Sequence, residues 1–342
     1  MNRLISTTSA LCLMAGAASA EGTLSVYHWF EYIPQELVDK FTAETGITVT
    51  IDTYDSNESM LASLKAGKLG QYDVAVPADF MVEIMRETGM LDTFTAEEMP
   101  NLPNIAPQWL DVPFDPGRTS SIPYQWGSTS FAVNRGVYTG DISSLGILFD
   151  PPEELRGKIN VLDSQNEVLI LGSLYLGIPQ CSTDRTQLKA LSDMLVAAKQ
   201  HWASFGSDTA KDVMVSGDAA AGMIYNGFAA KARAEGANVE YSYPKEGHVL
   251  WMDNVVLLKD APNRANAITF MNFLLDPENA AAVTNYAAYT SGVAGVEPFL
   301  DEAIRTSPEN NPPEGTTPGV FAEVCDEDTQ KLYDAIWINL KK

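Results

Sequence analysis

Short apolar segments and amphipathic segments alternate along the first part of the chain. Each apolar run has the length of a strand, and each segment that follows carries apolar residues at helical spacing, as Leu37, Val38 and Phe41 do before Gly46. The order strand, helix, strand, helix, strand predicts a parallel sheet with helices on both faces. The predicted strands are 23–29, 47–52 and 72–76; the predicted helices are 34–45 and one that follows a capping-box-like Asp55-Ser56-Asn57-Glu58.

The same alternation resumes after residue 158. Asp276 followed by Pro277 predicts a helix start, because an N-cap carboxylate and a proline at the first helical position favour one. Residues 307–319 are rich in Pro, Gly and Asn and are predicted to form a surface loop. The other predicted elements are strands at 159–162 and 222–225, a helix at 184–202, a helix carrying Phe270, Phe273 and Leu274, and a final amphipathic helix carrying Leu332, Ile336, Trp337 and Leu340.

The N-terminus has the pattern of an export signal. Arg3 precedes an apolar stretch from Leu11 to Ala18, and Ala18-Ser19-Ala20 is a small-x-small cleavage site. We therefore predict a signal peptide at 1–20 and a mature chain of 21–342 in the periplasm. No later stretch reaches the ~20 apolar residues that a membrane span requires.

The length and the cysteines bound the architecture further. The mature chain exceeds a single typical core, so two lobes are expected. Cys181 and Cys325 remain after cleavage, and an oxidising compartment permits them to pair or to stay as separate thiols. Their spacing favours neither state.

The charge and the absent motifs narrow the classes of function. The chain has 45 acidic and 22 basic residues, a net charge of -23, which makes nucleic acid an improbable partner. His28, His201 and His248 are far apart, and none lies in a zinc motif. Because P-loop, GxGxxG and GxSxG patterns are also absent, a binding protein without metal or cofactor is favoured over an enzyme.

Two short clusters place aromatic rings beside carboxylates at predicted strand ends. They are Trp29-Phe30-Glu31-Tyr32 and Trp251-Met252-Asp253. An ammonium group gains an ion-paired hydrogen bond from such an acid and a cation–π contact from the ring. Ligands of open α/β sheets bind outside the carboxyl ends of the strands, so the clusters indicate a site for a small organic cation.

The chain resembles the periplasmic spermidine/putrescine-binding proteins of ABC transporters over nearly its whole mature length. The segments that carry the resemblance are 27–34 (YHWFEYIP), 41–46 (FTAETG), 55–58 (DSNE), 122–127 (IPYQWG), 222–227 (GMIYNG), 244–247 (PKEG), 251–253 (WMD) and 273–278 (FLLDPE).

The resemblance implies a type II periplasmic binding protein fold of class α/β, with a ligand cleft between two lobes. Lobe 1 is expected to comprise 21–127 and 253–299, and lobe 2 to comprise 128–252 and 300–342. The implied function is capture of a polyamine and delivery to the permease subunits of an ABC transporter. The chain is expected to be a monomer and not an enzyme.

The resemblance also implies roles for individual residues. Trp29, Trp251 and Tyr225 are expected to pack on the methylene chain. Glu31, Glu167 and Asp253 are expected to hold the amino groups, and Asp163, four residues before Glu167, is a further candidate acid. Tyr32 and Tyr289 are expected to add hydroxyl contacts.

Three positions depart from the pattern of the relatives. Phe30 stands where Ser or Thr is typical, Ala78 stands where Ser is common, and Ser164 stands at a position that is acidic in spermidine-preferring members. The loss of two hydroxyls and one acid disfavours a fully matched triamine site and leaves a diamine or a differently placed polyamine open.

Three alternatives remain at the level of sequence. Related two-lobed proteins bind ferric iron through paired tyrosines, and Tyr286 and Tyr289 are three residues apart, although indole rings crowd the oxygen ligands that iron prefers. The loaded protein could instead dock on a membrane sensor. A periplasmic amine-processing enzyme lacks an evident nucleophile or metal.

Overall fold

The fold is built around one sheet whose two halves are joined by long antiparallel strands. A computed structural model describes residues 22–342, and the predicted signal peptide lies outside the described residues. The strands are β1 Gly22–Trp29, β2 Ile47–Tyr54, β3 Val74–Ala75, β4 Ser121–Asn134, β5 Ile159–Val161, β6 Trp202–Phe205, β7 Ala221–Tyr225, β8 Val239–Ser242, β9 Val249–Leu257, β10 Thr290–Ser291 and β11 Val320–Phe321.

Helices flank the sheet, and they include all six that the sequence predicts. They are α1 Gln35–Thr45, α2 Asn57–Ser63, α3 Asp79–Glu87, α4 Gly146–Phe149, α5 Gln165–Leu176, α6 Arg185–Lys199, α7 Ala210–Ser216, α8 Asn226–Ala234, α9 Arg264–Leu274, α10 Pro277–Ala287, α11 Glu302–Arg305 and α12 Glu327–Lys341. Short 3₁₀ turns occupy Leu102–Asn104, Pro107–Trp109, Glu153–Leu155 and Glu297–Phe299, and a π turn occupies Leu64–Lys68. None of these helices is long and apolar enough to cross a membrane.

The sheet order is β2-β1-β3-β9-β4-β7-β5-β6. Strands β2, β1 and β3 are parallel, as are β7, β5 and β6, whereas β9 and β4 run antiparallel to each other and to their outer neighbours. The predicted α/β class is confirmed, and the two antiparallel strands are what the alternating pattern alone did not predict. They belong to both halves of the molecule.

Each half has its own hydrophobic core. One cluster includes Phe131, Leu171 and Leu191 and extends to Leu340 in α12. The other half holds a cluster around Phe41 and Phe270 and a smaller one around the methionines of α2 and α3. Two cores agree with two lobes, and the lobe boundaries proposed from the sequence stay a prediction.

Two local predictions were wrong in detail. The helix predicted at 184–202 ends at Lys199, because Trp202 begins β6 and its indole Nε1 donates to the Leu148 carbonyl at 2.8 Å. The capping box of α2 is formed by Ser56 and Ser59, whose backbone N–H groups bond to each other's hydroxyls. Glu58 therefore has no capping role there.

The predicted loop at 307–319 is exposed only in its second part. Glu309 is buried and accepts hydrogen bonds at 2.8 and 2.9 Å from both sides of the Arg233 guanidinium. Asn310 accepts from the Asn226 amide at 2.7 Å and donates to the Ala288 carbonyl at 3.0 Å. The start of the loop therefore ties α8 in one half of the molecule to the end of α10 in the other.

Cys181 and Cys325 form a disulfide, with their Cα atoms 5.3 Å apart. The bond joins the turn after α5 to the segment before α12, across a sequence separation of 144 residues. A cross-link over so long a loop removes much of the conformational entropy of the unfolded chain. The sequence left open whether the two cysteines pair or stay as separate thiols, and the structure shows that they pair.

We predict that the double variant Cys181→Ser/Cys325→Ser loses roughly 3–5 kcal/mol of unfolding free energy, the size expected for a cross-link that closes a long loop. Urea unfolding of the wild type and the variant measures it. Wild type treated with a thiol reductant should approach the variant. Equal midpoints for all three samples would contradict the stabilising role.

Candidate functional site

A cleft of about 960 Å³, a figure that includes its open mouth, lies between the two halves of the sheet. Its walls come from loops at the ends of β1, β3 and β7, from the first turns of α2, α3 and α5, and from β9. This position agrees with the rule that α/β proteins bind ligands at strand ends. The antiparallel strand β9 contributes residues 249–253 to the floor.

Most of the residues predicted from the sequence line this cleft. Their chain positions range from the end of β1 to the segment after α10, so folding alone brings them together. They are Trp29, Phe30, Glu31, Tyr32, Ala78, Glu167, Tyr225, Trp251, Asp253 and Tyr289.

Asp163 is the predicted site residue that lies elsewhere. Its side chain is half exposed, and it accepts a hydrogen bond at 2.8 Å from the Lys341 ammonium of α12. Asp163 precedes the N-cap residue Ser164, whereas Glu167 lies in the first turn of α5 and reaches the cleft. Proximity in sequence to Glu167 was therefore a misleading signal, and Asp163 is removed from the candidate site.

The aromatic rings of the site pack edge to face. Trp251 meets Tyr289 with ring centroids 4.8 Å apart, and Tyr225 meets Trp251 at 6.1 Å. Tyr32 lies 5.5 Å from Tyr289. Trp29 is held by a 2.7 Å hydrogen bond from its indole nitrogen to the Val76 carbonyl. Such mutually supported rings form rigid apolar walls for a methylene chain.

Two glycines leave room for these rings. A Cβ atom on Gly127 would lie 2.7 Å from the Trp251 ring, and one on Gly227 would lie 2.5 Å from the Tyr289 ring. A larger residue at either position would therefore clash with the ring in its present position. Both glycines end segments that resemble polyamine-binding proteins, so a packing requirement explains two of the residues that carry the resemblance.

Seven carboxylates face the cleft, and no Lys, Arg or His is among its described lining residues. A strongly acidic cleft without internal counter-ions attracts cations and excludes anions. Asp79 and Asp253 are the most deeply buried of the set. The seven are Glu31, Asp55, Glu58, Asp79, Glu167, Asp208 and Asp253.

Burial perturbs the acids in the interior of the cleft. Loss of hydration raises the pKa of Asp253 well above its usual value, and the Asp79 and Glu167 carboxylates raise it further. Loss of hydration also raises the pKa of Glu167, whose carboxylate accepts a hydrogen bond from the Ser164 hydroxyl. Each of these groups is costly to ionise when no cation is near.

Sequence reasoning missed four of the seven acids: Asp55, Glu58, Asp79 and Asp208. Glu58 was assigned to a helix cap, but its carboxyl faces the cleft, where lost hydration raises its pKa to about 6. Asp79 follows Ala78 directly, and the position beside a predicted ligand residue was the available signal. Asp208 lies before α7 in a stretch that carried no motif.

The tyrosine pair of the ferric-iron alternative does not form a site. Tyr289 is buried in the cleft wall, whereas Tyr286 is 39% exposed and does not line the cleft. Its ring stacks under the Lys231 ammonium at 4.8 Å. In the part of the chain that the structure describes, no group of three or more His, Cys, Asp or Glu side chains is arranged to hold a metal ion.

We predict that Asp253→Asn stabilises the ligand-free protein at pH 8. An acid with a raised folded-state pKa contributes its full stability below its unfolded pKa of about 4, and that contribution is lost as the pH rises. The amide avoids this loss, so we expect a gain of roughly 1–3 kcal/mol at pH 8 that shrinks at pH 5. Urea unfolding at both pH values measures the difference. Asp163→Asn is the matched control with little change, and a variant less stable than wild type at pH 8 would contradict the argument.

Known proteins are similar to this chain in sequence and in fold. Residues 36–312 match the model of the bacterial extracellular solute-binding protein family. The spermidine/putrescine-binding periplasmic protein of Escherichia coli K12 is 37% identical over 82% of this chain and 80% of its own. The putrescine-binding periplasmic protein SpuD of Pseudomonas aeruginosa is 32% identical over 100% of this chain and 99% of its own.

The fold comparison agrees with the sequence comparison. A solved ABC transporter protein of Listeria monocytogenes superposes with a TM-score of 0.87 over 93% of this chain and 98% of its own, at 31% identity. The predicted family and two-lobed class are confirmed by these matches. The chain belongs to the bacterial extracellular solute-binding protein family, in the group that includes the spermidine/putrescine-binding periplasmic proteins.

Proposed function

We propose that this periplasmic protein captures an organic polycation of the putrescine and spermidine class and delivers it to the membrane subunits of an ABC transporter. The observation that carries the proposal is the cleft lining: seven carboxylates, no basic residue, and walls of Trp29, Tyr225 and Trp251. The relatives named for spermidine and putrescine support the same class of ligand.

The charged ends and the apolar middle of such a ligand match two kinds of surface in the cleft. Each ammonium group needs a carboxylate, and a charge-assisted hydrogen bond of this kind contributes about 1.5–3 kcal/mol. Each methylene between them contributes about 0.8 kcal/mol when it is buried against the rings. Asp253 on β9 and Glu167 on α5 face the cleft from different elements, so one ligand can contact both halves of the molecule.

Binding without chemical conversion is part of the proposal. The family is one of solute-binding proteins, and the cleft supplies the acids and aromatic rings that hold an organic cation. A monomeric protein that docks on its transporter is the simplest assembly. Release then requires the transporter to separate the two halves of the cleft.

Calorimetric titration of refolded, ligand-stripped Glu21–Lys342 tests the proposal. Refolding removes any ligand carried through purification. The titrants are putrescine, spermidine, spermine and agmatine, with butane-1,4-diol and 1-aminobutane as analogues that lack both or one of the charges, and ferric citrate as the iron alternative. We expect saturable micromolar binding of at least one polyamine and no heat from the diol.

We predict that Glu167→Gln weakens polyamine binding at least about tenfold, because one ammonium group loses its ionic partner. Asp163→Asn, four residues earlier and outside the cleft, should leave the affinity unchanged. Equal affinities for the two variants would remove Glu167 from the site. Saturable binding of ferric citrate, or no binding of any polyamine, would overturn the proposed ligand class.

A further inference from the structure

Buried carboxylates in this protein fall into two groups. Those outside the cleft have dedicated partners: Asp73 accepts hydrogen bonds from Ser25 and Asn263, and Glu309 accepts two from Arg233. Asp115 accepts from a turn of backbone and hydroxyl donors at Thr119, Ser120 and Ser121. These acids are therefore structural.

Asp79 does not fit that group. It is the first residue of α3, it is 5% exposed, and it lines the cleft. Its carboxyl accepts from backbone N–H groups: Met252 donates to Oδ1 at 3.2 Å, and the N–H groups of Asp79 itself and Phe80 at the start of α3 also donate. Within residues 22–342, no Lys, Arg or His forms an ion pair with it.

The neighbours of Asp79 make this absence costly. Asp253 lies one residue beyond Met252 on β9, and Glu167 lies in the first turn of α5. The Glu167 carboxylate raises the pKa of Asp79, and the Asp79 and Glu167 carboxylates both raise the pKa of Asp253. Three neighbouring carboxyls with reduced hydration cannot all be ionised without a free-energy cost unless a cation is near. Either a bound proton or a ligand cation must therefore neutralise at least one of these carboxylates.

We propose that Asp79 binds an ammonium group of the ligand directly and releases a proton to solvent when the ligand enters. The proposal rests on the proposed function and adds a specificity-determining acid beyond those that the sequence singled out. The exchange is balanced, since the O–H bond of the Asp79 carboxyl breaks, the proton passes to the buffer, and the ligand ammonium takes its place beside the carboxylate.

The titration of Asp79 supports this exchange. Loss of hydration raises its pKa to about 7, with backbone N–H groups opposing the shift and Glu167 adding to it. Near neutral pH the empty site is therefore divided between the protonated and ionised forms. A cation binds the ionised form, so ligand affinity rises as the pH passes upward through this range.

A second role for Asp79 is purely structural. In that role Asp79 accepts a hydrogen bond from the Met252 N–H and thereby holds β9, and with it Asp253, in place without contacting the ligand. Asp79→Asn separates the two roles, because the amide oxygen can still accept from the Met252 N–H but carries no charge. A positioning role predicts little effect, or an effect that is independent of pH.

The experiment compares wild type and Asp79→Asn by calorimetric titration with putrescine from pH 5.5 to 8.5. We expect near-equal affinities at pH 5.5, where the wild-type acid is protonated, and a deficit of at least about tenfold for the variant at pH 8.5. At pH 7 in buffers of different ionisation enthalpy, the wild type should release more protons on binding than Asp79→Asn does. Asp163→Asn is the control that should match the wild type at every pH.

A ratio of affinities that stays constant with pH, with equal proton release in both proteins, would overturn the proposal. If the wild type binds no polyamine at any pH, the proposed function fails first, and the two failures are thus distinguishable. Thermal unfolding of the ligand-free variant checks that it is folded. Asp79→Ser, which also removes the charge, replaces it if Asp79→Asn does not fold.

Discussion

The candidate site depends on the antiparallel pairing of β4 with β9. In that register Trp251 lies opposite Gly127, Met252 opposite Trp126, and Asp253 opposite Gln125. Alternate residues of a strand face the same side, so Trp251 and Asp253 both reach the cleft. A slip of one residue would turn the ring and the acid to the other face. The pairing also joins the two halves of the sheet, so the same ladder shapes the site and connects the lobes.

The buried acids of the cleft lower the stability of the ligand-free protein and favour the binding of a cation. Asp79 and Asp253 are buried without a basic partner among the described residues, whereas Asp73 and Glu309 have dedicated donors. An apolar or amide side chain would fold at less cost. The protein retains the acids where a cation can later neutralise them, which converts part of the unfavourable desolvation into ligand affinity.

Local patterns in the sequence predicted part of the elements, because hydrophobic periodicity and capping residues act over a few residues. The long strand β4 and the helices α3, α5 and α8 were not predicted. Asp276 and Pro277 begin α10 as predicted. Trp202 was misplaced because its role as a strand residue depends on pairing with Ile159, far away in the chain.

The site was predictable where aromatic and acidic residues are adjacent, as at Trp29 to Tyr32. Asp79 was missed because it is distinguished by its burial and by the lack of a basic partner among the described residues. Both features are visible only in the folded chain. Asp163 was included in error for the converse reason, since Lys341 reaches it from a helix 178 residues later.

The segment after Ser307 has a practical consequence for measuring motion in this protein. Its first residues contact both halves of the molecule through hydrogen bonds to Asn226 and to the Ala288 carbonyl, whereas residues 311–315 are exposed. An environment-sensitive dye attached there would sit beside a junction between the halves without touching the cleft. The fold thus provides an attachment point for an optical label next to the hydrogen bonds that join the two halves.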